Sequence, residues 1–335
     1  MTTTTETAAL AIAARQENRT FGGRVRRLHE SGFAPVVLLV LLVAIVAIYD
    51  PSFLRVRSLM SLLEQSAPLV LLALAQGVVV LTGRITLANA TLASLAGITL
   101  AKLLGAWGGA AVPAVLLGAV VLGALIGIVH MVAQIPSFIV TLGFMGVFAG
   151  LSLFLSGADS VLVTDGYGAV EWIGFRLFGI PISFLLVLLV AAVLMAVYRW
   201  LPIGRAVIAI GLNQRAAAFS GIRVDPVMVF VFALSGLLSG LAAVVQLAQL
   251  QSAGATTSDS LLLPSIAAVI VGGCSIAGGV GGIGRMVLGA LVIALLRVGL
   301  DLVGVDSAYQ PIAYGVIVIL AIAATVDRRR GSVVA

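Results

Sequence analysis

The feature that most constrains this chain is the recurrence of unbroken apolar runs, of which VVLLVLLVAIVAIY, Val36 to Tyr49, is the first. Similar runs lie near 34–49, 61–82, 86–104, 110–129, 136–156, 180–198, 227–249, 262–280, 286–304 and 309–326. A helix of about 20 apolar residues crosses a bilayer. In lipid every backbone polar group must be paired internally, so only helices and closed barrels span. These runs are continuously apolar rather than alternating, which excludes a barrel. Only 10% of the residues are charged and mean hydropathy is +1.22, far from a soluble domain. The reading is an all-α polytopic membrane protein of about ten transmembrane helices. Its transmembrane domain is 34–326, with tails at 1–33 and 327–335 that read as cytoplasmic. No small-residue cleavage pattern closes the first run, so it reads as a retained span rather than a signal peptide.

Charge tests the count. With ten spans and the N-terminus inside, fourteen of the nineteen basic residues fall on the cytoplasmic side. Arg55, Arg57, Lys102 and Arg176 fall on the other, and Arg297 lies within the ninth span. That asymmetry satisfies the positive-inside rule and places both termini in the cytoplasm. The formal net charge of +6 therefore reads as topology. Nucleic-acid binding would need a basic, largely polar domain, and none is present.

Chemistry-bearing patterns are few. One cysteine, Cys274, excludes a disulfide framework and a thiolate cluster, and His29 and His130 stand in no metal-ligand spacing. Gly279-Val-Gly281-Gly-Ile-Gly284 matches the dinucleotide glycine pattern. That pattern needs a strand before it and a βαβ unit around it. Here apolar spans flank it, so it reads as close packing or a helix break. There is no GxxxxGK[ST], HExxH or GxSxG, and no paired carboxylates lie in a span. Arg297 and Asp301 are one turn apart and are expected to pair on one face. Gly123-Ala-Leu-Ile-Gly127 and Gly236-Leu-Leu-Ser-Gly240 are both GxxxG and indicate close helix packing.

The connection 199–225 differs from everything around it. It is mixed in polarity and holds a short helix signature. Asn213 is an N-cap residue type, Gln214 to Ser220 suit about two turns, and Gly221 is placed to stop them.

These residues carry a family resemblance. Gly204-Arg205, Gly211, Asn213, Ala216-Ala217 and Ser220-Gly221-Ile222 resemble the cytoplasmic loop of ribose-type ABC importer permeases. Pro136-Ser-Phe-Ile-Val-Thr141-Leu-Gly143, Ser235-Gly236, Ile266-Ala-Ala-Val-Ile-Val-Gly272-Gly273 and Gly299-Leu-Asp301-Leu-Val-Gly304 extend it over most of residues 50–330. The resemblance implies a fold similar to the vitamin B12-importer (type II) permeases. It also implies a separate ABC ATPase chain that binds ATP and Mg, a periplasmic substrate-binding protein, and a second permease copy or paralogue in the bilayer. This chain would bind no cofactor itself. The ATPase-coupling residues implied are Gly204, Arg205, Gly211, Asn213, Gln214, Arg215, Ala216, Ala217, Ser220 and Gly221. Polar residues in or near spans, Glu64, Gln65, Asn89, Thr91 and Thr141, are the candidates for a translocation path.

The chain departs from the family where LTGGIDLSVGS is usual. It reads Leu81-Thr-Gly-Arg84-Ile-Thr86-Leu-Ala88-Asn89-Ala90-Thr91, gaining a guanidinium and losing a carboxylate. Val280 and Arg285 depart from the eighth-span pattern as well. Either the substrate differs from the common pentoses or this is one partner of a heterodimeric pair. A branched-chain amino-acid ABC permease is the sister reading. An ion-coupled secondary transporter is a third, and it lacks a clearly placed midplane carboxylate.

Overall fold

The computed structural model describes residues 34–325. The expected tails at 1–33 and 327–335, with His29 and the terminal arginines, lie outside the described residues. Twelve helices carry the architecture: α1 (Ala34–Tyr49), α2 (Val56–Val80), α3 (Asn89–Trp107), α4 (Ala111–Ala133), α5 (Ser137–Ser156) and α6 (Ile182–Trp200), then α7 (Pro202–Leu212), α8 (Gln214–Phe219), α9 (Val224–Leu250), α10 (Leu262–Val271), α11 (Ile283–Leu302) and α12 (Gln310–Thr325). Two minimal antiparallel pairs are present, Val161–Leu162 with the sequence-distant Ser252–Ala253, and Arg176–Leu177 with Ile180–Pro181 as a hairpin.

Six helical stretches are long and apolar enough to cross a membrane: 56–80, 89–133, 137–156, 182–200, 224–250 and 283–302. Ten runs were expected from the sequence. The largest difference is at 262–280, read as one span. There the helix ends at Val271, about 15 Å long, and a glycine-rich loop follows from Gly272 to Gly282.

The centre of the bundle is α2 and α9. Of the apolar window in α2, 83% is buried inside the bundle, against 22% in α5. Helix α2 packs against α6, α9, α10 and α11, and α9 packs against α2, α3 and α4. The outer faces stay apolar: Phe138, Leu142, Leu151 and Phe154 of α5 are all exposed. That is the composition of a surface that faces lipid or another apolar protein.

The two GxxxG motifs face each other. A Cβ on Gly236 would overlap the Ala119 carbonyl, and one on Gly123 would overlap the Phe232 carbonyl. Helices α4 and α9 therefore touch backbone to backbone, which a side chain at either position would prevent. In lipid, where apolar burial gives no net drive to helix association, such close packing is the main source of helix affinity.

Pro68 lies inside α2 and is buried. Proline has no N–H, so the Glu64 carbonyl one turn before it loses its helical partner. The Gln249 side chain of α9 supplies one, its Nε2 donating to Glu64 O at 2.6 Å. A glutamine near the end of α9 thus repairs the break in the hydrogen bonding of α2.

Two outcomes follow for stability. Gly236→Leu should prevent correct packing, costing about 3 kcal/mol or more, whereas Gly118→Ala, whose Cβ would meet nothing within 4 Å, should be neutral or gain up to about 1 kcal/mol. Thermal unfolding in detergent reads both. Gln249→Leu should cost about 1–3 kcal/mol, and the same change in a Pro68→Ala background should cost clearly less, because the helix then pairs Glu64 itself. Equal costs in the two backgrounds would contradict the repair.

Candidate functional site

The segment between α6 and α9 is two helices rather than one. Pro202 opens α7 at its first turn, where its missing N–H is harmless. Ile203, Val207 and Ile210 recur at helical spacing and turn inward. This periodicity was available in the sequence and marks the helix that the loop reading missed. Asn213 is extended (φ −162°, ψ 104°) and separates α7 from α8.

Helix α8 is capped at both ends. The Ala216 N–H donates to Asn213 Oδ1 at 3.0 Å. At the other end Gly221 takes φ +86°, a conformation that glycine adopts without cost. Its N–H donates to Ala218 O at 3.0 Å and that of Ile222 donates to Ala217 O at 3.1 Å. These are the two bonds of a Schellman cap. The helix ends at Phe219, one residue before the end expected from sequence. Six residues alone would not hold a helix in water, so caps and seating hold it.

Ala217 is the seat: it is buried, while Gln214, Arg215, Ala216, Ala218 and Phe219 are exposed. Phe219 is 93% exposed and Leu212 is 66% exposed, so this end of the molecule presents apolar side chains beside Arg205 and Arg215. Gly204 and Gly211 do not belong to that surface. A Cβ on Gly204 would strike the Tyr198 backbone, and one on Gly211 would strike the Leu81 carbonyl and Gly279.

The dinucleotide-like glycine pattern is also packing. The Gly279 N–H donates to Leu81 O at 2.9 Å, and that of Ser275 donates to Val280 O at 2.8 Å. The loop after α10 therefore lies on the break between α2 and α3 and on the end of α7. The element directly before it is the helix α10, not a strand.

The translocation candidates separate. Asn89, Thr91 and Thr141 are buried. Asn89 Nδ2 donates to Gln76 Oε1 at 3.0 Å. Its Oδ1 accepts from Ser235 Oγ at 3.1 Å and Thr86 Oγ1 at 3.2 Å. This network joins α2, α3 and α9. Thr91 and Thr141 bond back to carbonyls of their own segments, Ala88 and Phe138. None of the three lines the cavity at the far end of the bundle.

Glu64 pairs with Arg176 at 2.8 Å at that far end. Gln65 lines a cavity of about 160 Å³ between α2, α10, α11 and α12, with Arg297, Asp301, Gln310 and Tyr314. The expected Arg297–Asp301 ion pair does not form. Asp301 Oδ1 accepts instead from Gln310 Nε2 at 2.6 Å, because α12 brings a donor to it that local spacing does not contain. A second hollow shares Gln65 and reaches Asp50, whose carboxyl is held below its ordinary range by hydrogen bonds from the Ser52 hydroxyl and N–H.

Gln76, Ser235 and His130 were missed as interacting residues in sequence. Gln76 is visible only as one amide in an apolar run.

Asn213→Ala should cost about 1 kcal/mol of local helix stability, read as faster amide exchange confined to 214–219. Asn89→Ala should lower global stability by about 1–3 kcal/mol, since Gln76 Oε1 loses its buried donor.

The family described as branched-chain amino acid transport system / permease component matches residues 58–323. The chain is 35% identical over 320 residues to a ribose import permease protein of Bacillus subtilis (strain 168), covering 92% of this chain and 97% of that one. It is 33% identical over 295 residues to a ribose import permease protein of Escherichia coli (strain K12), covering 86% and 91%. It is 32% identical over 290 residues to a D-allose transport system permease protein of Escherichia coli (strain K12), covering 85% and 89%. No solved structure matches it.

Proposed function

From the premise that the chain belongs to the branched-chain amino acid transport system / permease component family, we propose that it is the membrane permease subunit of an ATP-driven ABC importer for a sugar or similar small polar solute. The observation that carries this is the extent of likeness to ribose and D-allose permeases, which spans nearly the whole of both chains. The chain is a multi-pass membrane protein and a transport subunit. ATP and Mg belong to a separate ATPase chain.

On this reading α8 is the coupling helix. It is short, capped at both ends and seated on Ala217, so a push on its exposed face moves it as a body. Arg205, Arg215 and Phe219 present charge and apolar area to the ATPase. Gly204 and Gly211 act from behind, by letting α7 lie close to its neighbours. ATP binding would close the ATPase dimer and displace α8, and the bundle would change the side to which it opens. A periplasmic binding protein would deliver the solute at the end carrying Gln65, Arg297 and Asp301, and a second permease copy or paralogue would cover an apolar outer face.

The topology follows as ten crossings with both termini cytoplasmic. The stretch 89–133 divides at Gly108 (φ +52°) into α3 and α4, which pack on each other. The shorter α1, α10 and α12 complete the count, with α10 extended by its glycine loop. The bias of basic residues supports the orientation, and the resemblance supports a type II arrangement.

The family's description supports a second reading, a branched-chain amino-acid permease. Pull-down from native membranes should recover a P-loop ATPase, lost when Asn213–Gly221 is replaced by a Gly/Ser linker. Uptake of labelled ribose should be competed by sugars and not by leucine. Competition by leucine alone would establish the second reading, and recovery of the folded chain without an ATPase would reject both.

A further inference from the structure

Arg84 is foreign to the family pattern at its position, and nothing in the functional reading accounts for it. It lies in the irregular segment between α2 and α3, half-buried, and each of its three nitrogens is used. Nη1 donates to the Thr82 carbonyl at 2.8 Å, which folds the side chain over its own segment. Nε donates to His130 Nε2 at 3.0 Å in the last turn of α4. Nη2 donates to Gln214 Oε1 at 2.6 Å, at the first residue of α8.

The histidine is held for this task. His130 Nδ1 lies 2.6 Å from the Ile135 carbonyl. A carbonyl only accepts, so the ring proton is on Nδ1 and Nε2 presents its lone pair to Arg84. The ring also meets Phe232 of α9 edge-on, with centroids 5.8 Å apart. Phe232 contributes its carbonyl to the glycine crossing of α4 and α9. Two residues after Arg84, Thr86 enters the buried network of Asn89, Gln76 and Ser235.

We infer that Arg84 is a positioning residue that transmits displacement of α8 to the α2–α3 break and to α4. The inference rests on the importer reading, in which α8 is pushed by an ATPase. Seated on Ala217 alone, α8 could slide without moving the bundle. The guanidinium removes that freedom by holding α8, the break and α4 through one rigid plane. The fork presents donors on three separate nitrogens, whereas an ammonium presents its three from a single point. Lysine keeps the charge and loses the geometry.

The test uses the complex of this chain with its ATPase, reconstituted in proteoliposomes, reading solute uptake per ATP hydrolysed. Arg84→Lys and Gln214→Ala should each lower that ratio by about tenfold, the scale of one charged hydrogen bond. ATPase co-purification should stay intact in Arg84→Lys, and the double variant should be no worse than the worse of the two single ones. Gln214→Glu, which keeps an acceptor for the guanidinium, should retain coupling. A readout free of activity is amide exchange: Arg84→Lys should speed exchange in 81–88 and in 214–219 together. An unchanged uptake ratio, penalties that multiply, or exchange rising in α8 alone would each overturn the inference. So would loss of ATPase binding in Arg84→Lys, since the role would then be docking. Failure of the unaltered chain to bind an ATPase would reject the importer reading itself, which separates the two failures.

Discussion

The contact on which the rest of this structure depends is the backbone-to-backbone approach of α4 and α9 at Gly123 and Gly236. In water, apolar side chains would drive these helices together. In lipid they gain nothing by leaving one apolar medium for another. What remains is close packing, and packing is closest where no side chain intervenes. The crossing places Phe232 beside His130 and carries Ser235 to Asn89. It thereby sets both the surroundings of His130 at one end of α4 and the polar network in the middle.

Two side-chain amides in this interior satisfy other polar groups. Gln249 exists for the carbonyl that Pro68 leaves unpaired, and Asn89 is held between Gln76, Ser235 and Thr86. Inside a membrane an unpaired amide costs more than a lost contact, because no water can take its place. Such residues look like path-lining candidates in a sequence, and here they tie helices together. Gln65 and Arg297 instead line a cavity at the end of the bundle.

At the opposite end, irregular segments are stacked with little room between them. The break after α2, the end of α7 and the loop after α10 meet through glycines and backbone hydrogen bonds. Backbone packed on backbone leaves little room for side-chain repacking between the end of α7 and the break.

Much of this was legible in the residues. Apolar run length identified the helical membrane class, and Asn213 with Gly221 located α8, because capping depends on a few neighbouring residues and is written locally. The glycine pattern at 279–284 was recognisable as packing for the same reason: its local context lacks a strand. The pairing of the two GxxxG motifs, the shortened α10, the partner of Asp301 and the fork of Arg84 were not legible. Each depends on a donor, acceptor or backbone from another part of the chain, brought near only by the fold. The sequence by itself determined the helical membrane class and the two caps of α8, since hydration and backbone geometry act residue by residue. Only the tertiary structure decided which polar group meets which. In a medium without water each must find a protein partner, and that partner is chosen by packing rather than by proximity along the chain.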